Sequence, residues 1–453
     1  MFLQSPSRLP HAIANRVLLT FLAVLVPTLS NCSRDSLTTA PRDRDAVLGD
    51  PANPPTVRPD PDALNEVIVT LANGVSAEQF AAEFGATLTE SGNWGCARFV
   101  PQSGEPAVAL ADRMALDPRA LTAEQNMIIE TAESRQKSVS FDDGFGSPET
   151  YYGQAQTLPI GLSEAHQVTR GANVRVAILD TGAELNHPVL MSRIAGGWDF
   201  IDGDSDPSDT GDGLDNDLDG DTDEARGHGT HVAGIVSLVA PDAQLLVVRV
   251  LDADGRGDMM KVAQGIVWAK YRGARVINMS LGSLSNSKMV QWALNYANQE
   301  GKVVSVASAG NWGAPTPIEY PAQSTQVLAV AALDHCDQRA VFSSYGGFVD
   351  YSAPGVAVRS AFPGGGYALW SGTSMSAPFV AGAAALLISV HPGWNGAQVD
   401  ERLAANARSI EAKNPGLHDL LGHGALDLGA ALAADAASVG TGGGAHRIPN
   451  RAH

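Results

Sequence analysis

One serine-containing segment constrains this chain more than any other. Residues 372–378 read Gly-Thr-Ser-Met-Ser-Ala-Pro, and residues 380–387 continue as an apolar run of helix-forming residues. The pattern predicts a buried helix whose first turn carries Ser374. A helix N-terminus directs backbone N–H groups and the positive end of the helix dipole toward developing negative charge, which suits a nucleophile. The alternative is structural, with Ser374 acting only as the N-cap of a buried helix.

Two further segments supply the partners that a serine nucleophile needs. Residues 174–179 are typical of a buried parallel strand, and Asp180 follows directly, where open α/β sheets place functional residues. Residues 227–229 read Gly-His-Gly and open another small-residue helix with His228. A hydroxyl is activated by an adjacent base, and the base is oriented by a carboxylate. The chain therefore contains an aspartate, a histidine and a serine suited to one catalytic triad.

These motifs resemble those of the subtilisin-like serine proteases, whose triad has this chain order. The resemblance implies that Asp180 orients the imidazole, that His228 is the general base and that Ser374 is the nucleophile. It also implies that Asn311 donates to the oxyanion together with the backbone N–H of Ser374. His231 is the alternative base, and we expect it to be structural.

Two segments resemble the substrate-binding edges of the same family. Residues 277–282 are typical of a strand that leaves the core, and residues 254–257 of a glycine-rich loop. In the family an extended peptide lies between two such segments and bonds to them through its main chain. The substrate-binding residues implied by the resemblance are Gly255, Gly257, Ser280, Leu281, Gly282, Ser308 and Ala309.

Strand-like and helical segments alternate through residues 150–435. The five β-branched apolar runs are 174–180, 244–250, 275–281, 302–307 and 326–332. This alternation predicts an α/β fold with a doubly wound, mostly parallel sheet. The resemblance covers the same range, and we expect residues 150–435 to form a subtilisin-like peptidase domain.

A smaller unit, residues 63–140, precedes that domain. Its strand-like segments are 66–71, 96–100 and 126–130, and its helical segments are 76–84 and 105–116. This α+β unit resembles the propeptide of subtilisin-like proteases, which serves that family as a folding template and an inhibitor. The resemblance implies an intramolecular inhibitor that is removed by self-cleavage within 131–150. The alternative is a permanent interaction domain.

The two ends of the chain are expected to lie outside both domains. Residues 1–32 combine two arginines with a short apolar run, which is typical of an export signal of a bacterial protein. Two interpretations stay open: a conventional signal that yields a secreted protein, or a lipoprotein signal that leaves Cys32 acylated and anchored in the envelope. Residues 33–62 are predicted to be a disordered linker and residues 436–453 a disordered tail.

The insert between Asp180 and His228 is strongly acidic, with eleven aspartates and one glutamate in residues 199–224. Alternating aspartates followed by Gly220 match the start of a calcium loop, and hard oxygen ligands suit Ca²⁺. So many like charges would repel one another strongly without a cation, whereas the alternative is a solvated loop. The predicted ligands of a structural calcium ion are Asp215, Asp217, Asp219, Asp221, Asp223 and Glu224. No cofactor is expected for catalysis.

The composition bears on two questions: whether the protein binds nucleic acid and whether it contains a structural disulfide. Thirty basic and 49 acidic residues give a net charge of −19, which argues against nucleic acid as a partner. The three cysteines are Cys32, Cys96 and Cys336. A bridge between Cys96 and Cys336 would tie the propeptide permanently to the enzyme, so we expect no structural disulfide.

Three interpretations of function compete at this point. The first is an exported serine endopeptidase that cleaves proteins or peptides through an acyl-enzyme and is made as a self-inhibited precursor. The second is a catalytically silent binding protein on the same fold, and the third is a calcium-dependent surface interaction protein. The presence of Asp180, His228, Ser374 and Asn311 together favours the first.

Overall fold

The structure is a computed structural model that describes residues 62–102, 104–136, 141 and 146–440. The predicted export signal, the acylation of Cys32, nearly all of the predicted linker and most of the predicted tail lie outside the described residues. The predicted self-cleavage segment is described only in part.

The N-terminal unit is an α+β structure, as the sequence predicts. Its elements are β1 (Ala63–Leu71), α1 (Ala77–Phe84), β2 (Ala86–Ser91), β3 (Cys96–Pro101), α2 (Ala107–Ala115), β4 (Ala120–Glu130) and α3 (Ala132–Gln136). Phe80 of α1 and Leu110 of α2 pack in one apolar cluster with Val67 and Phe99. The sequence does not predict β2, because its segment Ala-Thr-Leu-Thr-Glu-Ser contains no apolar run.

The larger domain, which follows residue 146, alternates strands and helices. Its strands are β5 (Arg175–Asp180), β6 (Ile194–Asp199), β7 (Gln244–Arg249), β8 (Arg256–Asp258), β9 (Val276–Met279), β10 (Val304–Ser308), β11 (Val327–Leu333), β12 (Tyr351–Pro354), β13 (Val358–Phe362) and β14 (Gly366–Trp370). Its helices are α4 (Pro148–Gly153), α5 (Leu162–Val168), α6 (His228–Val239), α7 (Met259–Tyr271), α8 (Lys288–Ala297), α9 (Thr373–Val390), α10 (Gly396–Asn406) and α11 (Leu428–Gly440).

Seven strands form a parallel sheet at the centre of this domain. Their spatial order is β12-β11-β10-β9-β5-β7-β6, and every neighbouring pair is parallel. The order reverses between β5 and β9, and open α/β sheets bind their ligands at such a switch point. The fold is therefore the doubly wound, mostly parallel α/β fold that the sequence predicts.

Two strands of this sheet carry little sequence signal. β6 contains Gly196 and Gly197, and β12 is four residues long and ends at Pro354. Neither has the continuous β-branched run that marks the five predicted strands, which correspond to β5, β7, β9, β10 and β11.

Helices cover both faces of the sheet. Along β5, Val176 and Ile178 pack in the cluster that contains α6 and α9, whereas Ala177 and Leu179 pack with α7 and α8. Alternate residues of one strand thus enter two separate apolar cores. Since both faces are covered, a site on this sheet has to form at the ends of the strands.

Within the described residues, α9 is the one helix that is long and apolar enough to cross a membrane. Its apolar window is 89% buried inside the fold. A helix that is apolar all round and surrounded by protein is a core helix, so this hydropathy reflects burial in the domain.

The cysteines depart from the prediction of no disulfide. Cys336 is disulfide-bonded, whereas Cys96 is a buried free thiol. The prediction was wrong for Cys336 because the sequence argument weighed only a bridge between Cys96 and Cys336. The predicted tail also begins too early, since α11 continues to Gly440.

The N-terminal unit joins the larger domain through a shared sheet and through the start of α8. β4 pairs antiparallel with β8, which becomes the fifth strand of the sheet β2-β3-β1-β4-β8. The Glu124 carboxylate accepts hydrogen bonds from the backbone N of Lys288 (2.7 Å) and Met289 (3.0 Å) in the first turn of α8. An acid at a helix N-terminus is favourable, so the contact stabilises the docked arrangement.

Candidate active site

Four residues predicted from the sequence are brought together at the carboxyl edge of the central sheet. Asp180 ends β5, His228 begins α6, Ser374 lies in the first turn of α9 and Asn311 follows β10. All four side chains are buried. Strand ends and helix starts that meet at the switch point bring the four groups together.

Asp180 and His228 form a buried pair. Asp180 Oδ1 lies 2.7 Å from Nδ1 of His228 and also accepts a hydrogen bond from the backbone N of Thr181 (2.8 Å). The Trp370 ring meets the imidazole edge-on, with 5.3 Å between ring centroids. These contacts fix the ring orientation and leave Nε2 directed away from Asp180.

Asn311 is oriented by its neighbour on α9. Its Oδ1 accepts hydrogen bonds from the backbone N (3.0 Å) and from Oγ1 (2.9 Å) of Thr373. The amide NH₂ of Asn311 is therefore free to point at the reacting group beside Ser374. This is the orientation that an oxyanion donor requires.

The side chain that occupies the site is Glu133 of α3, which sequence reasoning missed. Its Oε2 accepts a hydrogen bond from Oγ of Ser374 (2.5 Å) and lies 3.2 Å from Nε2 of His228. Its Oε1 accepts a hydrogen bond from Nδ2 of Asn311 (2.9 Å). A Cβ atom on Gly372 would collide with this carboxylate, so the glycine is needed for the approach. One oxygen, Oε1, thus contacts the Asn311 amide, whereas Oε2 contacts both Ser374 and His228.

The charges of the site favour an imidazolium. Burial opposes the charge on His228, but the carboxylates of Asp180 and Glu133 outweigh it and raise the pKa of His228 to about 10. Burial likewise opposes the charge on Glu133, yet the hydrogen bond and positive charge of His228 lower the pKa of that carboxyl. A histidine held protonated in this way cannot act as a base.

His231 has a structural role, as expected. Its Nε2 lies 3.1 Å from the carbonyl oxygen of Val358 and 3.2 Å from that of Ala368. Burial, aided by the charge of His228, lowers the pKa of His231 to about 3. A neutral imidazole that donates to two carbonyl groups links α6 to the β13–β14 hairpin.

Asp209 supports His228, and no sequence pattern separates it from the other acids of its loop. Its carboxylate accepts hydrogen bonds from the backbone N of Gly227 (3.0 Å), from both N (3.1 Å) and Oγ1 (2.6 Å) of Thr230, and from Oγ1 of Thr181 (3.2 Å). It thus ties the residue after Asp180 to the residues on both sides of His228. Burial raises the pKa of Asp209, and its position at the start of α6 offsets part of that cost.

The predicted substrate-binding segments flank the end of β4. Glu130 pairs with Arg256 of β8 on one side and exchanges two backbone hydrogen bonds with Gly282 on the other (3.1 and 2.8 Å). The backbone N of Thr131 donates to the carbonyl oxygen of Gly255 (3.0 Å). The N-terminal unit therefore lies in the cleft as an extended strand between both edges, as a peptide substrate would.

Of the other predicted residues, Ser280 contacts Ser374 directly. Ser280 donates from Oγ to the carbonyl oxygen of Ser374 (2.9 Å), and its own carbonyl oxygen lies 3.4 Å from Ser374 Oγ. Three more of the predicted residues are fully buried: Leu281, Ser308 and Ala309. Gly257 pairs with Ile129 across the β4–β8 contact.

The acidic insert is brought together only in part. Carboxylate oxygens of Asp215, Asp217 and Asp219 lie within 4.8 Å of one another. Asp223 instead accepts hydrogen bonds from the backbone N of Asp212 (2.9 Å) and Gly213, and Asp221 is exposed outside the group of three.

Glu224 is the unusual acid of this insert. Both of its carboxylate oxygens are buried without a hydrogen-bond partner among the described residues. Burial, together with the nearby carboxylates of Asp254 and Asp217, raises the pKa of Glu224 to about 8. Asp254 is itself fully buried and was not singled out from the sequence.

Asp209→Ala tests whether the Asp209 carboxylate stabilises the segment that holds His228. Because the substitution leaves several buried N–H and O–H groups without an acceptor, we expect the free energy of unfolding to fall by about 3 kcal/mol. The measurement is urea denaturation of the Ser374→Ala chain with and without the second substitution. Asp206→Ala, an exposed acid of the same loop, is the control and should change stability by less than about 0.5 kcal/mol. Equal effects of the two substitutions would contradict the supporting role.

Comparisons with known proteins agree with this geometry. The family model described as the subtilase family matches residues 171–424, a range that contains the triad and Asn311. Subtilisin BL of Lederbergia lenta is 42% identical over 275 residues, which are 57% of this chain and 95% of the relative. Thermitase of Thermoactinomyces vulgaris is 42% identical over 253 residues, which are 53% of this chain and 85% of the relative.

Solved structures extend the likeness to more of the chain. Fervidolysin of Fervidobacterium pennivorans, a keratinolytic enzyme related to subtilisin, superposes with a TM-score of 0.68 at 25% identity, covering 83% of this chain and 62% of its own. A protease of Pseudoalteromonas arctica superposes with a TM-score of 0.57 at 32% identity, covering 66% of this chain and all of its own. With its fold, its clustered Asp180, His228 and Ser374, and these relatives, the chain belongs to the subtilase family of serine peptidases.

Proposed function

We propose that this protein is an exported serine endopeptidase that is made as a self-inhibited precursor. The observation that carries the proposal is the convergence of Ser374 Oγ, His228 Nε2 and Asn311 Nδ2 on the single carboxylate of Glu133. A group that is bound by a nucleophile, a base and an oxyanion donor marks the place where a peptide carbonyl reacts.

The proposed chemistry is acyl transfer. Ser374 Oγ attacks the peptide carbonyl carbon while Nε2 of His228 takes the hydroxyl proton, and His228 then gives that proton to the leaving amine. Asp180 holds the imidazole tautomer and stabilises its positive charge. Asn311 and the backbone N–H of Ser374 donate to the oxyanion, and water hydrolyses the acyl-enzyme.

Ser374→Ala and Asn311→Leu test the peptidase function. Ser374→Ala should abolish hydrolysis of casein and should leave the purified chain uncleaved, because the nucleophile is gone. Asn311→Leu should lower kcat by about 10²–10³-fold, the figure known from subtilisin for the loss of this donor, with little change in KM. The measurements are casein hydrolysis and intact mass. Persistent hydrolysis or self-cleavage in the Ser374→Ala chain would refute the role of Ser374.

The inhibition of the precursor rests on two features of the N-terminal unit. Its β4 strand fills the substrate cleft with backbone hydrogen bonds to Gly282 and β8. Its Glu133 then engages all three reactive groups and favours the protonated form of His228. The first feature excludes substrate, and the second holds the catalytic base in a form that cannot accept a proton.

Glu133→Gln tests the second feature. The substitution keeps the shape of the side chain and removes its charge, so the pKa of His228 should fall from about 10 in the precursor. The measurement is an NMR titration of the imidazole in the Ser374→Ala chain. Glu130→Gln is the matched control, since this acid lies on the same segment and pairs with Arg256 (3.2 Å). A pKa of His228 that stays near 10 in Glu133→Gln would contradict the account.

Calcium binding by the acidic insert is part of the proposal. The carboxylates of Asp215, Asp217 and Asp219 supply a cluster of hard oxygen ligands, and the buried oxygens of Glu224 are a further source of unsatisfied negative charge. We expect these residues to hold the ion. The backbone N–H groups of Asn216 and Asp223 donate to the Asp254 carboxylate, beside the cleft-lining residue Gly255. An ion in the insert would therefore stabilise one edge of the cleft.

Calcium should raise the thermal midpoint of the Ser374→Ala chain. A ligand at 100 times its Kd adds about 2.7 kcal/mol to the stability of the folded state. Asp217→Asn should remove most of this increase, whereas Asp206→Asn, outside the cluster, should preserve it. The measurement is thermal unfolding in calcium and in a chelator. Equal midpoints in the two solutions would rule out the site.

Export is proposed from the first 32 residues, and the choice between a secreted protein and a lipoprotein anchored through Cys32 stays a prediction. The relatives named subtilisin and thermitase favour protein or peptide substrates for this chain.

A further inference from the structure

The strand that fills the cleft sets a register for the chain that follows it. Glu130, the last residue of β4, exchanges two backbone hydrogen bonds with Gly282 (3.1 and 2.8 Å), and this pairing is antiparallel. In an antiparallel pair, doubly bonded partners of this kind recur every two residues along each strand. An extended chain in the same register would therefore place residue 132 opposite Ser280.

Ser280 marks the position of the nucleophile. Its carbonyl oxygen lies 3.4 Å from Ser374 Oγ, and its own Oγ donates to the carbonyl oxygen of Ser374 (2.9 Å). A residue that pairs with Ser280 thus has its backbone beside Ser374 Oγ. In the extended register that residue is Ala132.

The alternation of backbone groups decides which carbonyl faces the nucleophile. Along an extended strand, the N–H and C=O groups of successive residues point to opposite edges. The backbone of Glu130 faces one edge of the cleft, whereas the N–H of Thr131 faces the other and donates to Gly255 (3.0 Å). Residue 132 would face the first edge again, which is the edge that carries Ser374. The peptide bond presented for attack is therefore the one that follows Ala132.

In the precursor this bond lies in a helix instead. Ala132 and Glu133 are the first two residues of α3, and Glu133 directs its carboxylate at Ser374 (2.5 Å). A helical residue advances the chain by about 1.5 Å, whereas an extended residue advances it by about 3.3 Å. The helix therefore holds the carbonyl group of Ala132 out of the register that the cleft offers.

Local contacts keep α3 in this form. Thr131 caps the helix, since its Oγ1 accepts a hydrogen bond from the backbone N of Ser134 (3.1 Å). Glu133 anchors the first turn through its hydrogen bonds with Ser374 and Asn311. A helix of five residues is not stable by itself, so the loss of these contacts favours the extended form.

The same bond lies between the two structural units. The chain before it belongs to the N-terminal unit through β4, and the chain after it pairs with β14 of the larger domain. In that second pairing, Phe141 exchanges two backbone hydrogen bonds with Leu369 (3.0 and 2.9 Å). Cleavage after Ala132 would therefore separate the inhibitory strand from the enzyme and make Glu133 a chain end that can leave the site.

We propose that the precursor cleaves its own peptide bond between Ala132 and Glu133, and that α3 delays this cleavage until its first turn unwinds. The inference rests on the proposed peptidase function and names one substrate of that site. It reduces the window of residues 131–150 to a single bond.

The step begins when unwinding withdraws the Glu133 carboxylate from Nε2 of His228, which can then accept a proton. Ser374 Oγ bonds to the carbonyl carbon of Ala132, and the hydroxyl proton passes through His228 to the nitrogen of Glu133 as the C–N bond breaks. Water then hydrolyses the acyl-enzyme, which restores Ser374 and leaves a carboxylate on Ala132.

The first experiment refolds the wild-type chain from urea, quenches samples with acid at early times and reads the intact masses of the products. We expect the first cut to give an N-terminal fragment that ends at Ala132 and an enzyme that begins at Glu133. The two masses must add up to that of the precursor plus one water, which identifies the first cut before any later trimming. A first cut at any other bond overturns the inference.

Ala132→Pro tests the register. Proline is favoured at the first position of a helix, so the precursor should still fold with α3 in place. Its ring nitrogen cannot donate to the carbonyl oxygen of Ser280, so self-cleavage should slow by about 10-fold. Ala77→Pro, the same substitution at the first position of α1, is the matched control and should process at the wild-type rate. Equal rates for the two variants contradict the register, and the wild-type masses decide if Ala132→Pro does not fold.

Thr131→Val tests the delay by α3. The substitution keeps the shape of the side chain and removes the cap, so the extended form is more populated and self-cleavage should accelerate by about 5-fold. Thr131→Ser retains the hydroxyl group and should process at the wild-type rate. Equal rates for Thr131→Val and the wild type overturn the role of α3.

The outcomes separate this inference from the proposed function. Hydrolysis of casein by a wild-type chain that is cut elsewhere, or is not cut at all, overturns the inference and leaves the peptidase function standing. The loss of both casein hydrolysis and self-cleavage in the wild-type chain overturns both.

Discussion

The buried pair of Asp180 and His228 is the interaction on which the rest of this structure depends. Two ionisable groups can be buried only where close geometry and further hydrogen bonds offset their desolvation. The sheet supplies the geometry, because β5 delivers Asp180 to the switch point where α6 begins with His228. Asp209 and Trp370 then hold the loop and the ring in place.

The N-terminal unit contacts this pair directly through a side chain of its own. Its strand enters the cleft as a substrate would, and its Glu133 adds a second carboxylate on the other side of the imidazole. The imidazolium that we propose Asp180 stabilises during catalysis is therefore already favoured while Glu133 occupies the site. Removal of Glu133 from the site would free Ser374, Asn311 and the base together, since one side chain engages all three.

The sequence predicts those parts of the site that depend on local patterns. Asp180, His228 and Ser374 lie at a strand end or a helix start, beside glycines or other small residues. The short motifs around them therefore suffice to predict where each side chain is placed in the fold. The five apolar strands are equally visible. β2 and β6 were missed, because threonines, glutamates and glycines replace the apolar run that a strand prediction needs.

The parts that escaped prediction act through contacts between distant segments. Glu133 reaches Ser374 across 241 positions, and nothing in its own neighbourhood marks it. Asp209 is one aspartate among eleven in its loop, and only the fold separates it from the rest.

We propose that Ser374 is blocked in the precursor and becomes reactive after the N-terminal unit is released. The most direct measurement is labelling by a fluorophosphonate during activation, with intact mass used to read the labelled fraction of each species. We expect label on Ser374 of the cleaved enzyme and almost none on the uncleaved chain. Equal labelling rates for the cleaved and the uncleaved species would contradict it.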